Sequence, residues 1–126
     1  MNESKYIDAA ALLGKTVTGI SQIGGDRIEI TTDDGKRYVM FHSQDCCESV
    51  DVHDIEGELQ SLVGSPLVVA REESDEIWPD DVEKNEYCES FTWSRYFFET
   101  ATAKVRIRWL GESNGYYSES VQIDEV

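Results

Sequence analysis

Residues 104–123 read KVRIRWLGESNGYYSESVQI. Apolar and basic side chains alternate through the first part. Ala103, Val105, Ile107 and Trp109 fall on one face of an extended chain, and Lys104, Arg106 and Arg108 on the other. Asn114-Gly115 is the strongest short turn signal in the sequence, and residues 116–123 are expected to run back as a partner strand. The stretch predicts a β-hairpin with one apolar and one basic face, and it sets the expectation of a largely antiparallel sheet.

Working outward, residues 90–100 (SFTWSRYFFET) form a strand apolar on both faces, with Phe91, Trp93, Arg95 and Phe97 sharing one of them. Pairing of this strand with 103–110 would bring arginines and aromatic rings onto a common surface. A second hairpin is predicted near the N-terminus. Arg27 to Thr31 alternates, Asp34-Gly35 is a type I′ signal, and Arg37 to Phe41 returns. Residues 17–23, 49–53 and 67–70 read as further strands. Residues 6–13, ending at Gly14, and 55–62, capped by Asp54 and stopped by Gly64 and Pro66, read as helices. The sum is one α+β domain spanning 1–126, with six or seven strands, two short helices and no internal repeat. Residues 72–89 are dense in carboxylates and read as a solvated loop, with a lid as the alternative.

The 126 residues suit a single core, and three Trp, six Tyr and four Phe supply large apolar groups for it. No apolar run approaches the roughly 20 residues of a membrane helix. No signal peptide is read, so a soluble, cytoplasmic protein is expected. Three cysteines, two of them adjacent, do not make a disulfide framework and fit a reducing compartment. The formal charge of −15 argues against sequence-independent binding to nucleic acid or anionic membranes. It leaves three readings: plain solubility, imitation of nucleic acid, or a few cations gathered where an anion binds.

Three of the eleven basic residues line the face of strand 103–110. Arginine forks bind phosphates in bidentate fashion and aromatic rings stack on bases, so this face could hold a nucleotide. The same arginines could instead pair with Glu99, Glu112 or Glu119 on neighbouring strands. Tyr116 and Tyr117 point to opposite sides of the turn, where hairpin staples would also sit. A second cluster, His42, Asp45, Cys46, Cys47, Glu48, His53 and Asp54, invites a zinc reading, but its spacing fits no standard ligand pattern. Cysteines without a redox or metal role commonly serve as small buried hydrophobes. No GxSxG, P-loop or GxGxxG stands in the context catalysis or a cofactor would require. No enzyme, cofactor or metal is therefore expected.

Three motifs, DCCESV (45–50), D-I-x-G-x-L-x-x-L-x-G-x-P (54–66) and W-x-G-x-SNGYYSE-x-V (109–121), resemble a family of small phage and prophage proteins, the first-described Thoeris anti-defence proteins. The similar segments cover about two thirds of the chain. The resemblance implies a sponge that binds a cyclic nucleotide immune signal without cleaving it. The signal would be a cyclic ADP-ribose isomer made by TIR-domain enzymes, and some such proteins also take cyclic oligonucleotides. It implies a homo-oligomer, dimer or hexamer, acting in the cytoplasm of an infected bacterium, with no DNA or RNA polymer and no membrane as partner. Carried onto this sequence, it implies Arg108 as a phosphate or base contact, with Arg106 beside it and Arg27 as a second cationic contact. Phe91 and Trp93 would stack, and Asn114, Tyr116 and Tyr117 would shape the pocket. The alternative from composition is an acidic decoy that blocks a basic nuclease or DNA-binding protein.

Overall fold

The computed structural model describes residues 5–84 and 89–126. Cys88 and the remainder of the acidic stretch, 85–88, lie outside the described residues. Among the described residues nine strands form: β1 (Lys5–Ile7), β2 (Val17–Ile23), β3 (Arg27–Thr32), β4 (Arg37–Phe41), β5 (Ser49–Glu56), β6 (Val69–Asp75), β7 (Ser90–Glu99), β8 (Lys104–Ser113) and β9 (Gln122–Glu125). They make two wholly antiparallel sheets, ordered β1-β9-β4-β3-β2 and β5-β8-β7-β6.

The expected helices are replaced by single 3-10 turns, Ala9–Leu12 and Leu59–Leu62, so the fold is nearly all-β rather than α+β. Tyr6 and Ile7 pair with Asp124 and Ile123 of β9 instead of starting a helix, and Asp8 is extended. In the second segment the apolar spacing at 55, 59, 62 and 63 imitates a helix. Gly57, however, has φ +92°, and a Cβ there would lie 2.4 Å from the Lys104 carbonyl oxygen. The chain needs glycine at this left-handed position to pass close to β8, and no α-helix runs through it.

The β3–β4 hairpin forms with a different turn from the one expected. Type I′ requires positive φ at both central residues, and here only Gly35 has it, at +82°. The Asp34 carboxylate organises the loop by accepting from Thr32 Oγ1 at 2.5 Å, Lys36 N at 3.1 Å and Lys15 Nζ at 2.7 Å. The Asn114-Gly115 hairpin does not form at all. The neighbours of β8 are β5 and β7, and the chain after Ser113 crosses to the other sheet, where β9 inserts between β1 and β4. The turn dipeptide is real, but it starts a crossover.

The two halves of the chain share a motif that the sequence does not display as a repeat. In each, a four-residue 3-10 turn ends in an extended residue, Leu13 or Val63, and then a glycine of positive φ, Gly14 or Gly64. Gly14 N donates to Leu67 O at 2.8 Å, while Gly64 N donates to Val17 O at 2.9 Å, and Thr16 bridges Pro66 between them. Leu12 and Leu62 are both buried. This reciprocal clasp, approximately two-fold, joins the sheets at one end. Their inner faces meet in one apolar cluster, with Ile28, Ile30, Tyr38, Met40 and Ile123 from the first sheet and Tyr96, Phe98, Val105, Ile107 and Trp109 from the second. No helix of the described residues is long and apolar enough to cross a membrane.

Candidate ligand-binding face

Because Tyr96 and Phe98 point into the core, Trp93, Arg95 and Phe97 project from the other side of β7. The register sets Arg95 opposite Arg108, Phe97 opposite Arg106, and Trp93 opposite Leu110. Sequence alternation anticipated this shared arginine–aromatic surface. Two arginines directly opposite each other repel unless countercharges intervene. Carboxylates from both flanking strands supply them. Arg95 pairs with Asp75 of β6, and Arg106 Nη2 lies 2.8 Å from Glu56 of β5.

Arg108 is the most enclosed of these cations, with its side chain 6% accessible. Its Nε donates to Asp54 Oδ1 at 2.9 Å and its Nη2 to Asp54 Oδ2. Nη1 and Nη2 also donate to Asp81 Oδ1 and Oδ2, both at 3.0 Å. These hydrogen bonds hold the carboxyls of Asp54 and Asp81 below their usual range and push the Arg108 guanidinium further up. Arg95 lowers Asp75 in the same way. The arginines are thus ion-paired within the chain, through Asp54, Asp81 and Glu56 rather than the Glu99, Glu112 or Glu119 that local sequence offered. Glu119 is buried elsewhere, accepting from Thr92 Oγ1 at 2.8 Å and Ser113 Oγ at 2.5 Å.

Trp93 is fully buried even though it faces away from the core. Its cover is specific. Trp78 meets it edge-on at 5.2 Å, His53 at 5.0 Å, and the Arg108 guanidinium lies 5.6 Å above its ring. Trp78 also meets Phe91 edge-on at 4.9 Å. Further along, the Arg71 guanidinium stacks 4.0 Å over Phe97. A hollow of about 270 Å³ adjoins this end, lined by Glu56, Phe97, Lys104 and Arg106 among others. Two buried donors on the face, Trp93 Nε1 and Arg106 Nε, have no hydrogen-bond partner among the described residues. A buried donor without an acceptor is costly, and such a group calls for an explanation.

Of the residues singled out from sequence, Arg106, Arg108, Phe91 and Trp93 come together on this face. Arg27 does not join them. It lies on β3 in the other sheet, 3.3 Å from Glu29. Asn114 accepts from Tyr116 N at 3.1 Å within the crossover, Tyr116 is exposed, and Tyr117 is half-buried. Sequence reasoning missed Trp78 and Asp81, which sit in the stretch read as a solvated loop. A lone tryptophan among carboxylates was the available signal. Asp54, expected both as a helix cap and as a member of the His42–Asp54 cluster, instead pairs with Arg108.

The second cluster is structural in its geometry. His42 donates from Nδ1 to Ser120 O at 2.7 Å and places Nε2 2.8 Å from Glu48 Oε2. The Glu48 carboxylate, buried, also accepts from the backbone of Asp45 at 2.9 Å and Cys46 at 2.8 Å. The His42 bond, followed by these amides, lowers Glu48 to about 2 despite burial. Cys46 and Cys47 are both exposed in this loop, with their sulfurs in contact. Among the described residues no three His, Cys, Asp or Glu side chains gather as a metal site.

Fold and face together define a two-sheet antiparallel β protein carrying an arginine–aromatic surface. The chain belongs to the DUF7448 family, a domain of unknown function whose profile matches residues 10–123. No curated protein and no solved structure matches it.

Proposed function

We propose that this protein binds and sequesters an anionic nucleotide, a cyclic nucleotide immune signal of the cyclic ADP-ribose kind, on the outer face of the β5-β8-β7-β6 sheet, without cleaving it. The observation that carries the reading is the gathering of Arg95, Arg106 and Arg108 with Trp93 and Phe91 in a chain of charge −15. Guanidinium forks suit phosphate oxygens, indole and phenyl rings suit a base, and the unpartnered donors of Trp93 and Arg106 suit further acceptors. The resemblance of the 45–66 and 109–121 motifs to Thoeris anti-defence proteins narrows the ligand to a cyclic nucleotide. It also supports a homo-oligomer, dimer or hexamer, in which a neighbouring protomer contributes from Arg27 or the exposed Tyr116, and action in the cytoplasm of an infected bacterium. An acidic decoy is less well supported, because Asp54, Glu56, Asp75 and Asp81 are occupied by arginines rather than displayed as a run of phosphate-like charges. The test is calorimetry of the purified protein with cyclic ADP-ribose isomers and cyclic oligonucleotides, with Arg108→Ala alongside. Saturable binding lost in the variant supports the proposal. No binding of any of these by the folded wild-type protein sinks it.

A further inference from the structure

Residues 76–84 leave β6 and lie back over the arginine–aromatic face, but they hold on by few groups. Trp78 inserts edge-on between Phe91 and Trp93, and Asp81 makes its two hydrogen bonds to Arg108. The segment's other bonds are largely its own: Trp78 Nε1 donates to Val82 O at 2.9 Å, Val82 N to Pro79 O at 3.4 Å, and Ile77 N to Asp75 Oδ1 at 3.1 Å. Ile77 is 72% exposed and the Asp81 side chain 62%. A largely self-bonded segment, half-buried at Trp78, Pro79 and Val82 and attached through one ring, one carboxylate and the Lys84 ammonium 5.6 Å over the Phe91 ring, can lift as a unit, because local opening costs little where few contacts are broken.

The ring and the carboxylate match the chemistry of the ligand proposed above. A carboxylate on a guanidinium fork occupies the geometry of a phosphate, and an indole edge-on to Phe91 and Trp93 fills the space beside those rings that a base would take. We infer that residues 76–84 are a built-in stand-in for the ligand, with Trp78 in the place of the base and Asp81 in the place of a phosphate, and that the nucleotide enters by displacing them. Displacement would open Trp93, whose Nε1 proton has no acceptor among the described residues, to a ligand oxygen. Asp54, fixed on β5, stays with Arg108 and keeps it oriented. The apparent affinity is then reduced by the fraction of molecules with the segment in place.

This inference rests on the binding reading, and the experiment separates the two. Cyclic ADP-ribose and inorganic pyrophosphate are titrated calorimetrically into wild type, Asp81→Asn, Trp78→Phe and Arg108→Ala, each checked for its fold by circular dichroism. Removing a competing exposed ion pair should tighten Asp81→Asn by about fivefold. Saturating cyclic ADP-ribose should red-shift wild-type tryptophan emission as Trp78 enters water, and the shift should vanish in Trp78→Phe, which still binds. Unchanged or weaker binding by Asp81→Asn, with wild type binding well, overturns the stand-in and leaves the nucleotide reading intact. Binding by Asp81→Asn alone supports both. Failure of every folded variant to bind either probe overturns both.

Discussion

Arg108 is a keystone of the ligand-free protein as well as the proposed anchor for a ligand, and replacing it with methionine tests the first role alone. Methionine keeps an unbranched apolar stem near Trp93 and removes the charge. Arg108 is 6% accessible, and its better-enclosed partner, Asp54, is 38% accessible. A fully exposed ion pair contributes about 0–1 kcal/mol, whereas breaking a fully buried one costs about 3–5 kcal/mol. A buried cation with a partly wet partner falls between, at about 2 kcal/mol. For a chain of this length that corresponds to a fall in Tm of about 8 °C. Urea unfolding followed by circular dichroism would read it. Asp54→Asn placed on top of Arg108→Met should restore roughly 1 kcal/mol, because the carboxylate left behind accounts for part of the loss. An Arg108→Met protein as stable as wild type, or two substitutions whose costs simply add, would refute the reasoning.

Two further outcomes follow from the fold. Gly57→Ala combines a φ of +92° with a Cβ 2.4 Å from a β8 carbonyl oxygen, whereas Gly14→Ala has a similar φ of +85° and open space around it. Thermal unfolding should show the Gly57 variant losing about 3 kcal/mol or more and the Gly14 variant about 1 kcal/mol; equal losses would mean the close approach to β8 is misplaced. Glu48, lowered from 4.5 to about 2, is the second case. Its folded value lies below its unfolded one, so its contribution to stability is complete above about pH 4.5 and is lost as the pH falls towards 2. The Glu48 carboxyl carbon signal in NMR should titrate near pH 2, and in His42→Asn its midpoint should move up towards 4.5.

Much of the second sheet was legible because its signals are local. The alternation of Lys104 to Trp109 and the double-sided apolar run of β7 report directly on which side of a strand each residue occupies. The arginine–aromatic face follows from pairing those two strands. The failures have physical causes of the opposite kind. Nothing near Asn114-Gly115 says that the following strand pairs with β1 and β4, because both partners lie far back in the chain. The spacing of Ile55, Leu59 and Leu62 satisfies a helix until the close approach of Gly57 to β8 is known. Trp78 gives only a faint signal, a lone tryptophan among carboxylates, because an acidic stretch looks solvated unless its arginine and aromatic partners, contributed by β7 and β8, are in view. Arg27 carries no local mark distinguishing it from Arg108, yet the topology puts the two in different sheets.

A nucleotide signal captured through Arg108 should stay intact and travel with the purified protein. The most direct measurement expresses the protein, and separately its Arg108→Ala variant, beside a signal-producing TIR enzyme, then purifies and denatures each and identifies the released small molecule by mass spectrometry. An intact cyclic nucleotide should be released from the wild-type protein and none from the variant. An empty wild-type protein, a hydrolysed product, or equal capture by Arg108→Ala would contradict capture of an intact signal through Arg108.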